Sequence, residues 1–282
     1  MPVFILTLQC RDRPGIVRAA STAIADVGGN ILENDQFSDP VTSEFSMRTR
    51  YESDVADVAT HLGALEGELE RFAARLHLRD ESTPRRALVM VSRWDHCLAD
   101  LLYRRERGDL DLDVTSVVSN HADCAALAAR YDIAFHEVPV VAGAKDVAEA
   151  RLRTIVDAER PDFIVLARYM QVLSDAFCAD HVGRIVNIHH SFLPGFKGPR
   201  PYHHAYERGV KLIGATAHFV TPALDEGPII EQDVVRVSHA RRPGDLVSLG
   251  RDVERGVLSR AVTLLSQDRV ALVGDRTVIF AQ

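Results

Sequence analysis

The stretch FIVL at Phe163–Leu166 decides how most of this chain folds, and IVNI at Ile185–Ile188 has the same character. Both runs are short, largely apolar and rich in β-branched residues, which is typical of strands buried on both faces of a parallel sheet. Strands predicted at 87–91 and 114–118 alternate with helical stretches in the same way. The alternation predicts a doubly wound, mostly parallel α/β sheet.

A polar linker at 80–86, DESTPRR, separates this α/β region from the beginning of the chain. Ahead of the linker, hydrophobic periodicity predicts the order β-α-β-β-α-β, a helix layer on an antiparallel sheet. We therefore predict two domains, residues 1–82 and 87–282. The second is expected to end with a long helix after Pro243 and two short strands.

Composition limits the possible functions. The chain has 282 residues, 46% of them hydrophobic and 26% charged, with a net charge of −7. This acidic balance gives no support for broad binding to nucleic acid or to an anionic membrane, and no apolar run approaches the ~20 residues of a membrane span. The four cysteines form no C-x-x-C pair, and the start of the chain lacks the features of a signal peptide. We therefore expect a cytoplasmic protein.

Ligands of such sheets lie outside the carboxyl ends of the strands, so the loop after Ile188 is a candidate site. Asn187 and His189 stand two positions apart and therefore point to the same face of an extended strand. An amide and an imidazole placed in this way can converge on one oxygen atom. The alternative is that Asn187 satisfies loop backbone and the histidines are ordinary surface residues.

A second candidate lies in the stretch TPALDEGPII at 221–230, where Asp225 occupies a turn between two apolar strands. A partly desolvated carboxylate at this place is expected to have a raised pKa and to suit general-base catalysis. Asp and Gly are also preferred turn residues, so a plain turn is the alternative.

A third candidate is ARYMQVLS at 167–174, predicted as a strand end turning into a helix, where exposed backbone could hold a flat heterocycle. Core packing at a strand–helix junction is the alternative. The histidines show no H-E-x-x-H pattern, so no catalytic metal is expected. Glycine-rich nucleotide loops and a G-x-S-x-G element are absent from the sequence as well.

Together these segments carry a family resemblance. Asn187-Ile188-His189 before a Leu-Pro loop, followed by Asp225-x-Gly-Pro-Ile-Ile, resembles the folate-dependent formyltransferase family from about Arg86 onwards. The first domain, with DRPGIV at 12–17 after a strand, resembles an ACT domain of ferredoxin-like fold. With HHSFLP at 189–194 and RPYHHAY at 200–206, the whole chain resembles the formyltetrahydrofolate deformylases.

The resemblance implies the chemistry. Asn187, His189 and Asp225 match the family's catalytic residues, and Met170, Gln171, Val172 and Leu173 match the segment that lines the pterin pocket. The implied reaction is hydrolysis of 10-formyltetrahydrofolate to tetrahydrofolate and formate. The formate would feed purine biosynthesis and balance the one-carbon pool. No cofactor is implied, because the folate is the substrate.

Formyl transfer to an amine acceptor is the alternative reaction. The loop after the first strand of the second domain, VSRWDHCL at 91–98, lacks the glycines with which the transferases hold a phosphorylated acceptor. His190 also stands where the transferases usually have proline. Both departures favour water as the acceptor.

The ACT resemblance implies an effector and an assembly. Gly15, before the first helix, would let a carboxylate approach the helix N-terminus, and Asn30 could meet an amino group. Glycine or methionine is the expected amino acid. The alternative is that Pro-Gly and Gly-Gly-Asn are only helix start and stop signals. Exposed edges of an ACT-like sheet favour a homo-oligomer.

Overall fold

The computed structural model describes residues 1–195 and 201–280, without the side chain of Pro201. Arg200, the first residue of the RPYHHAY motif, lies outside this description. The chain divides into two compact units, an N-terminal unit of residues 1–84 with 267–282 and a central unit of residues 85–266.

The N-terminal unit begins as predicted, with helices on one antiparallel sheet. Its elements are β1 (Val3–Arg11), α1 (Ile16–Asp26), β2 (Asn30–Ser38), β3 (Glu44–Glu52), α2 (Val58–Leu69) and β4 (Arg75–Asp80). The strand order is β2-β3-β1-β4. Alternate residues of β1, Phe4, Leu6 and Leu8, are buried against α1, because successive side chains of a strand point to opposite faces.

The central unit is the predicted doubly wound α/β domain. Its elements are β5 (Arg86–Val91), α3 (His96–Arg107), β6 (Asp113–Ser119), α4 (Ala125–Arg130), β7 (Phe135–Glu137), α5 (Lys145–Glu159), β8 (Phe163–Leu166), α6 (Asp175–Asp180), β9 (Ile185–His189), α7 (Pro201–Glu207), β10 (Leu212–Phe219), β11 (Ile229–Arg236) and α8 (Pro243–Ser266). The sheet order is β11-β10-β9-β8-β5-β6-β7, antiparallel at β9-β10-β11 and parallel elsewhere. Its centre is formed by β8 and β5, which are buried throughout except for Arg86.

The end of the chain differs from the predicted domain division. Strands β12 (Val270–Val273) and β13 (Arg276–Ile279) form a hairpin that belongs to the N-terminal unit and not to the second domain. The Nε of Arg48, whose side chain is only 2% exposed, donates to the carbonyl of Gln267 at 3.0 Å. A buried guanidinium requires hydrogen-bond acceptors, and this one is a backbone carbonyl more than 200 positions away in the sequence.

Two local features position the candidate site. The sequence predicted that the end of β8 turns into a helix within 167–174. In the structure this segment is irregular, and α6 begins only at Asp175. The loop after β9 begins at the carboxyl end of the neighbouring parallel strand. Both loops therefore meet at one edge of the sheet. No helix within residues 1–195 and 201–280 is long and apolar enough to cross a membrane.

Candidate active site

Asn187 and His189 lie on the same face at the end of β9, as their spacing predicted. Both line a cavity of about 270 Å³. Nδ1 of His189 lies 3.2 Å from Oδ1 of Asp225, and the two side chains are only 5% and 13% exposed. The structure thus brings together all three residues predicted to be catalytic.

His218 fixes the orientation of Asn187. It stands directly opposite Asn187 in the antiparallel pair of β9 and β10, and its Nε2 lies 3.3 Å from Nδ2 of Asn187. Its Nδ1 lies 2.8 Å from the carbonyl oxygen of Phe219, which can only accept, so the proton is on Nδ1 and Nε2 accepts from the amide. Burial lowers the pKa of His218 and keeps this arrangement neutral. The sequence analysis did not select His218, whose role depends on strand register.

Asp225 occupies the predicted turn, and the backbone explains why an acidic residue fits there. Its φ is +56°, a region that Asp tolerates better than most residues, and Gly227 approaches the Phe219 carbonyl so closely that a Cβ would lie 1.8 Å from the oxygen. The turn therefore needs a residue that tolerates positive φ at 225 and a residue without a Cβ at 227, and it places the Asp225 carboxylate beside His189 of β9.

The expected raised pKa of Asp225 is wrong. Burial acts most strongly and in the upward direction, but the hydrogen bond from His189 and the charges of His189, His218 and His190 outweigh it, so the pKa is lowered. The carboxylate is therefore ionised at neutral pH. Its geometry suits holding and stabilising the imidazole more than acting as a strong base.

The remaining nitrogen of His189, Nε2, is buried and has no hydrogen-bond partner among the described residues. A buried polar atom without a partner costs free energy unless a ligand or water completes it. Since Nδ1 faces Asp225, Nε2 is without a described partner and the residue lines the cavity, the imidazole is suited to exchange a proton with a bound molecule.

The predicted pterin segment lines the same cavity. Met170, Gln171, Val172 and Leu173 all contribute, and Met170 and Val172 are more than half exposed. The segment is anchored by Ser92, whose Oγ accepts from the Met170 N–H at 2.9 Å and donates to Oδ1 of Asn120 at 2.7 Å. Apolar side chains on a held backbone suit a flat, partly polar ligand.

A second polar group adjoins the cavity and was not recognised from the sequence. Glu254 of α8 is 1% exposed; Tyr202 donates to it at 2.6 Å, and Nε2 of His96 lies 2.8 Å from it. Nε of Arg168, a residue of the cavity wall, lies 3.4 Å from the same carboxylate. We call these four residues the Glu254 network.

Part of this network resembles a metal site, since ligand atoms of His96, Cys97 and Glu254 lie within 4.8 Å of one another. The Arg168 guanidinium places a positive charge beside the carboxylate, which opposes a cation. Burial holds the pKa of the Cys97 thiol well above its usual value, so the thiolate that a metal prefers is disfavoured. We therefore assign no metal to these residues.

Comparisons with known proteins agree with this site. Residues 85–262 match the formyl transferase family, and residues 4–70 match the ACT domain family. A formyltetrahydrofolate deformylase from Corynebacterium sp. (strain P-1) is 45% identical over 279 residues, covering 98% of this chain and 97% of its own. The chain belongs to the formyltetrahydrofolate deformylase family. The crystal structure of a family member from Burkholderia mallei superimposes with a TM-score of 0.96 at 44% identity, each chain covered completely.

The family's relation to the transferases is also visible. A glycinamide ribonucleotide transformylase from Symbiobacterium toebii superimposes with a TM-score of 0.68 at 29% identity, covering 73% of this chain and 98% of its own. The deformylase family thus shares its formyl transferase fold with enzymes named for a different acceptor, and the acceptor must be decided by particular residues and not by the fold.

In the ACT domain of this deformylase family member, the two predicted effector residues do not form one site within a chain. Gly15 and Asn30 flank opposite ends of α1, whose 11 residues span about 16 Å, too far for one small amino acid. Asn30 donates instead to Oε1 of Glu52 at 3.0 Å. Gly15, with φ +99°, would place a Cβ 3.5 Å from the Arg71 guanidinium, so a cation does lie beside this loop.

Proposed function

We propose that this protein hydrolyses 10-formyltetrahydrofolate to tetrahydrofolate and formate, with Asn187, His189 and Asp225 as its catalytic residues. The observation that carries the proposal is Nε2 of His189, which has no partner among the described residues, in an imidazole that lines the same cavity as the pterin segment. The curated relatives with this domain pair are named for the same activity.

His189 moves the proton in this reaction. With Nδ1 held by the ionised Asp225, Nε2 accepts a proton from a water as its oxygen attacks the formyl carbon. Asp225 stabilises the imidazolium that forms. This assignment gives His189 the base role that the sequence analysis gave to Asp225, because the lowered pKa of Asp225 makes its carboxylate the weaker base.

Asn187 stabilises the oxyanion. The Asn187 amide donates one hydrogen to Nε2 of His218, and its other hydrogen is available to the formyl oxygen as negative charge develops there. When the tetrahedral intermediate collapses, the bond from carbon to N10 breaks and the imidazolium returns its proton to N10. The second proton of the water leaves with formic acid, which ionises to formate.

Transfer of the formyl group to an amine acceptor is the second candidate function. The loop after β5 is unsuited to binding a phosphorylated acceptor. The loop has no glycine, and the backbone N–H of Ser92 is already bonded to the Arg168 carbonyl at 3.2 Å. A phosphate cradle needs several free backbone N–H groups. Water, which needs no cradle, fits better.

One experiment separates these functions. Purified protein is incubated with 10-formyltetrahydrofolate in the absence of any amine, and formate is measured enzymatically. Stoichiometric formate and tetrahydrofolate support hydrolysis. Formate release that appears only after an amine is added would overturn it.

The ACT domain is proposed to bind an amino-acid effector, glycine or methionine, through its carboxylate at Gly15. The Arg71 guanidinium and the nearby Arg13, which both lie over the Phe72 ring, give this loop a positive environment. Titrating each amino acid against formate release tests the proposal, with Arg71→Gln expected to weaken the response. If neither glycine nor methionine changes the rate of formate release at millimolar concentrations, the ACT domain does not have this role.

Homo-oligomerisation is proposed through the sheet edge of the ACT domain. Strand β2 is an edge strand that exposes Ile31, Leu32 and Phe37, each close to 40%. Exposed edges of this kind invite a further strand. Light scattering of the protein and of a Phe37→Lys variant would test the edge, since the charge should lower the measured mass.

Supply of formate to purine biosynthesis, balance of the one-carbon pool and a cytoplasmic location stay predictions. The location is supported by four free, buried cysteines, a pattern typical of reducing compartments. Deleting the gene and measuring the purine requirement would test the metabolic role.

A further inference from the structure

Arg168 holds an unusual backbone conformation. Its φ is +66°, a region in which a residue with a Cβ is strained by roughly 1 kcal/mol and glycine is not. The position is held from both sides, because Ser92 donates to the Arg168 carbonyl and accepts from the Met170 N–H. A long charged side chain is therefore kept at a place where glycine would be the unstrained choice.

The guanidinium is only partly satisfied. Its side chain is 12% exposed, and Nε lies 3.4 Å from Glu254 without the alignment of a hydrogen bond. Nη1 is buried and has no partner in the described part of the chain. Arg168 lines the same cavity as Asn187, His189 and Asp225.

Both carboxylate oxygens of Glu254 are engaged within the Glu254 network. Oε1 accepts from Tyr202 at 2.6 Å, and Oε2 faces both His96 and Arg168. Gly250 allows this arrangement, since a Cβ there would lie 2.1 Å from the Tyr202 ring. This part of the cavity wall therefore offers a positively charged donor, while both oxygens of Glu254 already face donors of the network.

We propose that Arg168 determines the acceptor: its buried guanidinium binds an oxygen of the water and then of the formate product, and it excludes amines. A guanidinium donates to oxygen lone pairs and to a carboxylate, and it repels an ammonium group. Water can accept from it with one lone pair and attack with the other, whereas a neutral amine has a single lone pair, which the attack requires. The formate anion is the reaction's own product, so no further reactant is required. This inference rests on the proposed hydrolysis.

The test compares Arg168→Gly, Arg168→Gln and Arg168→Lys in the full-length protein, supplied with 10-formyltetrahydrofolate and an excess of glycinamide. Formate and N-formylglycinamide are measured together by mass spectrometry, and formate is also used as an inhibitor. Arg107→Gln, at the exposed end of α3, is the matched control that removes a guanidinium outside the cavity.

We expect the parent protein and Arg107→Gln to produce formate with no formylated amine. Arg168→Gly and Arg168→Gln should lose about 10- to 100-fold in formate inhibition, the range for a hydrogen bond to a charged group, and should divert formyl groups to glycinamide. Arg168→Lys keeps the charge and should keep water as the acceptor. The glycine variant relieves roughly 1 kcal/mol of backbone strain, but both neutral variants leave Glu254 without its charged partner, so the thermal transition of each should fall and activity is measured well below it.

If both neutral variants show parental formate inhibition and form no formylglycinamide, the proposal is overturned. If the parent protein itself releases no formate, the proposed hydrolysis fails instead, whatever the variants do. Should one neutral variant not fold, the other decides the outcome.

Discussion

Of two largely buried carboxylates, Asp225 lines the cavity and Glu254 contacts Arg168 of the cavity wall, and their surroundings differ in kind. Asp225 is 13% exposed and is held by His189, whose second nitrogen has no partner in residues 1–195 and 201–280. Glu254 is 1% exposed and is held by Tyr202, His96 and Arg168 at once. In both cases burial would raise the pKa and the neighbours lower it.

The difference lies in what each carboxylate leaves open. The Asp225 group ends in a free imidazole nitrogen that can exchange a proton, whereas both oxygens of Glu254 are engaged. An ionised, buried carboxylate is therefore not by itself a sign of catalysis, since ion-pair networks produce one too. The unpartnered atom beyond the carboxylate distinguishes the two.

Asp225→Asn should give the largest effect. Loss of the charge removes the stabilisation of the His189 imidazolium, and we expect formate release to fall about 1,000-fold. Asn tolerates the left-handed backbone at this position, so the thermal transition should change little. Glu226→Gln, in the exposed part of the same turn, is the control and should stay within a few-fold of the parent. If Asp225→Asn and Glu226→Gln release formate at comparable rates, Asp225 has no catalytic role.

Asn187→Ala should come next, with turnover reduced about 100-fold, as for the loss of one oxyanion donor. The loss should appear in kcat more than in KM, because the amide acts mainly on charge that develops in the transition state. Steady-state measurement of formate release would check this split. A rise in KM with unchanged kcat would assign Asn187 to ground-state binding instead.

Glu254→Gln should act on stability. The substitution leaves Arg168 without its charged partner, and breaking a buried pair in this way costs about 3 kcal/mol or more. Asp252→Asn on the same helix removes a carboxylate that is 64% exposed, and we expect a change within about 1 kcal/mol. Urea unfolding of both variants tests the contrast. A Glu254→Gln protein as stable as the Asp252→Asn protein would contradict the structural role.

The sequence was sufficient for local features of the fold and site. Because Asn187 and His189 are two positions apart, the sequence predicted that they lie on one face of a strand. The apolar runs of β8 and β9 likewise predicted neighbouring strands of a parallel sheet. Such predictions succeed because they depend on backbone periodicity, which is written in neighbouring residues.

Features that depend on distant contacts were missed. The pKa of Asp225 falls because strand register brings His189 to it, and His96 meets Glu254 from 158 positions away. The C-terminal hairpin was assigned to the second domain because nothing in residues 267–280 indicates that Arg48 needs their carbonyl group. Tertiary structure decides each of these.

The smallest expected effect concerns the histidine that stands between the two carboxylates. Burial, together with the charges of Arg168 and His189, lowers the pKa of His190 to about 4, compared with roughly 6.5 in an unfolded chain. Between these values the unfolded state binds more protons than the folded state. Stability should therefore decrease as the pH falls from about 6.5 towards 4, with a slope of at most about 1.4 kcal/mol per pH unit for this one residue.

Replacing His190 with Asn removes the titrating group and should flatten that slope, while His204→Asn, at an exposed position of α7, should leave it as in the parent. The measurement is the urea midpoint at several pH values between 7 and 4.5. His218 has a lowered pKa as well and adds a slope of the same sign, so some dependence remains in the His190→Asn protein. Equal slopes in the parent and in both variants would mean that His190 is protonated as readily when folded as when unfolded, and that the Arg168 charge does not reach it.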